Sequence, residues 1–117
     1  MKVYLAGPMR GIAQFNAPAF HEAAARLRAE GHEVFSPAEQ GIKLFGEEVR
    51  DSAGGDEGKM AGDEMTIART VFHVDLAYIC LQAETVVLLP GWERSRGAKA
   101  ERAVAYALGL EVREYVA

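Results

Sequence analysis

Two acidic residues stand where this sequence otherwise places apolar ones. In the alanine-rich stretch after Pro90-Gly91-Trp92, Glu101 has Ala98, Val104, Ala105 and Leu108 at helical spacing around it. A helix through this segment therefore turns Glu101 toward the core along its apolar stripe. The charges Arg94, Arg96, Lys99 and Arg102 mostly lie elsewhere around it and read as a solvated face. An unpaired carboxylate in a core is expensive, so this one is paired or used, unless it sits at the wet edge of the stripe. Asp75 repeats the anomaly one helix earlier, among Ala68, Val71, Phe72, Leu76 and Ile79. Both helices flank the apolar run Thr85-Val86-Val87-Leu88-Leu89. Two carboxylates in one place suit the chemistry of a glycosidic bond. One attacks or stabilises an oxocarbenium-like carbon, and the other handles protons or positions a group.

A place for an anion precedes Glu101. With Ser95 as N-cap, Gly97 and Ala98 fall in the first helical turn, where backbone N–H groups lack internal acceptors. A serine hydroxyl, free amides, a glycine and the helix dipole together favour an anion such as phosphate, although serine also caps helices for purely structural reasons. The first strand supplies a third piece, Tyr4-Leu5-Ala6-Gly7-Pro8-Met9-Arg10-Gly11. Gly7 and Gly11 permit close backbone approach to a ligand, and Arg10 suits a phosphate. Trp92 either stacks on a base or packs at its loop.

Other chemistries fit poorly. The stretch from Gly54 to Lys59 is one residue short of a phosphate-binding P-loop, lacks the following Ser/Thr and follows no strand. His21, His32 and His73 lack metal-ligand spacing. A net charge of −4 recruits neither nucleic acid polymer nor anionic membrane.

These residues need a scaffold, and the sequence describes one. Lys2–Ala6 reads as a buried strand ended by Gly-Pro. Asn16 caps a helix with Pro18 in its first turn, and Phe20, Ala23, Ala24 and Leu27 form its buried face up to Gly31. His32–Ser36 is a second strand. Residues 38–62 carry no clean period and read as a long mobile loop. A helix follows from about Asp63 to Gln82, then a strand from Thr85, a helix from Arg96 to Leu108 closed by Gly109, and a last strand at Leu110–Glu114. Strands alternating with helices predict one α/β domain over residues 1–117, a small doubly wound, mostly parallel sheet flanked by helices in the Rossmann or flavodoxin manner. Ligands of such sheets sit beyond the carboxyl ends of the strands, where strand order reverses. Three loops qualify, the first Gly7–Gly11, the second the segment after Pro37 and the third Pro90–Ser95. The lone Cys80 forms no internal disulfide and is expected as a small buried hydrophobe. No apolar run approaches the roughly 18 residues of a membrane span, so a cytoplasmic location is expected.

The motifs "YLAGPMRG", "FNAPAF", "DLAYIC" and "LLPGWERSRGAKAE" together resemble the nucleoside 2-deoxyribosyltransferase superfamily, and most of all its small phage-type members. The resemblance covers nearly the whole chain apart from about 40–62. It implies that Glu101, in Gly97-Ala98-Lys99-Ala100-Glu101, is the nucleophile, with Tyr4 beside it and Asp75 as the family aspartate of the preceding helix. Ser95 stands where transferases of unphosphorylated nucleosides usually carry aspartate. In this the chain looks like the 2′-deoxynucleoside 5′-phosphate N-hydrolases, whose serine contacts the 5′-phosphate, and a hydroxyl spares the phosphate a repulsive charge. Glu84 stands where family members often have aspartate. The implied activity is cleavage of the base from a (deoxy)nucleoside 5′-monophosphate. Gly7, Pro8, Met9, Arg10, Gly11, Trp92, Ser95, Gly97 and Ala98 would line the substrate. Base exchange between nucleosides and nucleotide sensing without turnover are the alternatives. The resemblance implies no cofactor and no metal, and a homodimer or higher homo-oligomer.

Overall fold

The computed structural model describes residues 1–45 and 64–117, with side chains at 1–41 and 68–117. Strands β1 (Lys2–Ala6), β2 (Glu33–Phe35), β3 (Thr85–Leu88) and β4 (Glu111–Glu114) form one sheet in the order β2-β1-β3-β4. Every neighbouring pair is parallel, with Tyr4 opposite Phe35, Tyr4 opposite Val86 and Val86 opposite Val112. Helices α1 (Ala17–Ala29), α2 (Pro37–Phe45), α3 (Glu64–Leu81) and α4 (Arg96–Ala107) complete the expected α/β alternation. None of the helices among the described residues is long and apolar enough to cross a membrane.

β1 is apolar on both faces because both are covered, and its side chains divide between two cores. Val3 and Leu5 meet Phe20, Ala23, Ala24 and Leu27 of α1. Tyr4 and Ala6 meet Tyr78 and Ile79 of α3 and Ala98 and Ala105 of α4. Each large side chain fully buried this way contributes about 1.5–3 kcal/mol. Strand order reverses beside β1, whose connection to β2 leaves on one side and whose neighbour β3 lies on the other. The Tyr4 face and the mouth between the first and third loops therefore share one switch point.

Four local expectations are corrected. Residues 37–45 form α2 where a loop was expected from 38 onward. Pro37 supplies a first-turn residue with preset φ, and Arg28 of α1 forks onto Glu39 at 2.6 and 2.7 Å while also donating to the Val34 carbonyl at 2.9 Å. The remainder of the 38–62 stretch, with the Gly54–Lys59 segment, lies outside the described residues. Cys80 is exposed, because Asp75, Tyr78 and Ile79 take the inward face of α3 and the next position turns outward. Leu108, expected in the apolar stripe of α4, follows the last helical residue and is 49% exposed. Asn16 occupies the N-cap position of α1 yet makes no capping bond, since its backbone is left-handed at φ 63°.

Candidate active site

Alternation along β1 points Tyr4 into the helix-covered face between α3 and α4, where it is fully buried. Its hydroxyl donates to Glu101 Oε2 at 2.5 Å, a charge-assisted distance. Glu101 is 6% exposed and Asp75 is 4% exposed, so both carboxyls have left bulk water. On α4 the buried positions are Ala98, Glu101 and Ala105, one stripe with the acid in its middle. The two helices pack on each other, and their acids converge on one hydroxyl.

Burial sets the protonation of this trio. It pushes the Glu101 carboxyl up to about 8, against the hydrogen bond from Tyr4, with the neighbouring Asp75 adding to the rise. Burial likewise pushes Asp75 up to about 7, opposed by the same Tyr4 hydroxyl. Tyr4 itself is held well above the usual phenol range by burial, then by the two acids. Among the described residues, Asp75 Oδ1 is buried without a hydrogen-bond partner. The Tyr4 ring is clamped by stacked aromatics, with Phe35 at 5.5 Å between centroids and Tyr78 at 4.6 Å from Phe35.

Ser95 behaves as the cap expected of it. Its Oγ accepts from the Ala98 amide at 3.1 Å and its carbonyl accepts from Lys99 at 3.0 Å. The Ala98 amide, expected to face an anion, is thus committed to the cap. The amides of Arg96 and Gly97 precede the first intrahelical bond. Gly97 is required neither by a positive φ nor by packing, since an added Cβ would meet only Ser95 Oγ, at 3.9 Å. Its bare backbone leaves the first turn of α4 open to close approach.

The first loop is placed by packing. An added Cβ on Gly7 would fall 2.8 Å from Leu89 Cβ, so its smallness serves the β1–β3 contact rather than ligand approach. Gly11 has φ +78° in open space and serves the turn. The Pro8 ring lies against Gly91, joining the first and third loops. Met9 packs on the α1-side core, and Arg10 is exposed at the surface. Trp92 packs at the edge of the Tyr4-side core, its Nε1 donating to Glu114 at 3.2 Å and its ring under the Arg102 guanidinium at 5.0 Å. Glu84 lies at the opposite end of the sheet, accepting from the Lys2 amide.

Sequence reasoning missed Phe35 and Tyr78. Tyr78 carried a signal, being three residues after Asp75 on the same helical face. Phe35 carried one only once strand register was known.

A family model described as a domain of unknown function, DUF4406, matches residues 1–114. No curated protein matches the chain.

Proposed function

The chain belongs to the DUF4406 family, and for it we propose an N-glycosidase that cleaves the base from a (deoxy)nucleoside 5′-monophosphate. The observation that carries this reading is the buried Glu101, held by Tyr4 and neighboured by Asp75, on the helix whose open first turn follows Ser95. In the first step a Glu101 carboxylate oxygen bonds to C1′, the C1′–N bond breaks, and its electron pair leaves with the base, which takes up a proton. In the second step water attacks C1′, releases Glu101 and leaves the sugar phosphate. Asp75, with its buried Oδ1, positions the sugar or transfers protons. The Ser95 hydroxyl proton and the Arg96 and Gly97 amides hold the phosphate. Base exchange follows the same first step, with a nucleobase replacing water in the second.

The depth at which Glu101 is buried favours a second reading. Glu101 pushed up to about 8 is largely protonated at neutral pH and then a weak nucleophile, which suits a domain that binds nucleotides without turnover. Incubation with a panel of nucleoside monophosphates, followed by chromatography, separates the possibilities. Free base from the wild type and a loss of at least about 10³-fold in Glu101→Gln support the glycosidase. Binding without any base release supports the sensor, and a new nucleotide in the presence of an added base supports exchange.

A further inference from the structure

Gln14, Phe15 and Asn16 have φ of 56°, 53° and 63°, three successive non-glycine residues in the left-handed region. L-residues meet a steric penalty there, and such geometry persists only where its surroundings over-determine it. Those surroundings are visible. The Phe15 ring is buried at 6% exposure, its amide donates to the Ile12 carbonyl at 2.9 Å, and Ala17 begins α1 directly afterwards. Asn16 occupies the N-cap position, yet its carboxamide leaves the helix uncapped. Instead Nδ2 donates to the Pro8 carbonyl at 2.9 Å. An extended cap residue, as Ser95 is for α4, would place its side chain over the amides of α1. The left-handed turn redirects it to the loop after β1.

We propose that Asn16 is a positioning residue, whose carboxamide, delivered by the left-handed turn, fixes the loop from Pro8 to Gly11 at the carboxyl end of the strand that carries Tyr4. The tether reaches further than one carbonyl. Pro8 Cγ would stand only 3.2 Å from a Cβ placed on Gly91, so the tethered loop passes close beside the third loop at the switch point. Asparagine meets both requirements of the position, tolerance of the left-handed region and an N–H donor. Aspartate meets the first alone, glycine the first alone, and alanine neither.

The proposal's kinetic arm rests on the nucleotide reading of the site, and its exchange arm does not. The full-length chain is compared as wild type, Asn16→Gly, Asn16→Asp and Asn16→Ala. Thermal melts, amide hydrogen exchange and kinetics with the four 2′-deoxynucleoside 5′-monophosphates are measured. Asn16→Gly keeps the turn and is expected to melt within a few degrees of wild type. Its amides from Met9 to Ile12 exchange about fivefold faster, the loss of one ordinary hydrogen bond. KM rises by a similar factor while kcat holds, because Tyr4 and Glu101 stay in place. Asn16→Asp shows the same loosening or more, its acceptor facing the Pro8 carbonyl. Asn16→Ala melts lowest. Unchanged exchange in Asn16→Gly overturns the proposal, and so does faster exchange with unchanged KM. If the wild type releases no base from any of the four, the glycosidase reading fails, and exchange alone decides the tether.

Discussion

The Tyr4 hydroxyl has one proton to give and two carboxyl groups beside it. It donates its hydrogen bond to Glu101, at 2.5 Å, and so lowers the cost of ionising the group that attacks in the proposed reaction. Tyr4→Phe removes this help while leaving the ring and its stack with Phe35 in place. The Glu101 carboxyl then titrates at still higher pH, and the rising limb of the pH–rate profile moves in the alkaline direction. At neutral pH kcat is expected to fall about 10- to 100-fold, measured as base release across pH 6–9.5, with KM little changed. A pH profile identical to wild type removes Tyr4 from the catalytic arrangement. The sequence revealed Glu101 and Asp75 through a simple conflict, an acid inside an apolar stripe, and that conflict survives folding as two buried carboxyls. It did not reveal that Asn16 reaches Pro8, because a side chain eight residues away in a left-handed turn has no periodic signature.

The β1–β3 pair shows how closely the elements fit. Gly7 continues β1 past Ala6, and Leu89 continues β3, its Cβ 2.8 Å from where an alanine methyl would go. Backbone-anchored atoms at that distance have to move apart. Gly7→Ala is expected to destabilise by about 1–3 kcal/mol, read as a lower melting temperature. A Gly7→Ala variant that melts with wild type would contradict the packing account. Elements with strong period were legible, since α1 buries Phe20, Ala23, Ala24 and Leu27 as their spacing required. α2 was not, because it is only nine residues long with Gly41 inside it, and so short a signal is lost against the glycine-rich stretch that follows in the sequence. Cys80 was misread for a different reason. A small apolar residue next to Ile79 is one step of about 100° from the buried face, and only the exact phase of the helix separates the two.

For the whole molecule, the buried acids oppose each other's ionisation and that of the fold. Both bind protons more tightly folded than unfolded, Asp75 up to about 7 and Glu101 up to about 8. Their contribution to stability is therefore complete at pH values below the ordinary carboxylate range. It is lost as pH rises from there through about 7 and 8. Thermal melts are expected to fall by several degrees between pH 5.5 and pH 8.5, and Glu101→Gln, which cannot ionise, to flatten that slope. The proposed attack by Glu101 requires the opposite change, so base release is expected to climb over the range in which stability declines. A slope of the opposite sign would show that the cluster does not govern the fold's response to pH. Alternation of strands and helices made the parallel sheet legible, and two helices flanking one strand, each with an acid in its apolar stripe, made the nearness of Asp75 and Glu101 foreseeable in outline. The residues that steady them were not, because register and rotamer are settled only when the chain closes on itself.

The chain has a single tryptophan, and it sits in the turn immediately ahead of Ser95, pinned by Glu114 below and Arg102 above. That indole is a native optical reporter. Any molecule settling on the first turn of α4 disturbs an environment that one emission spectrum reads, without label or chemical modification, and independently of whether a bond is ever broken.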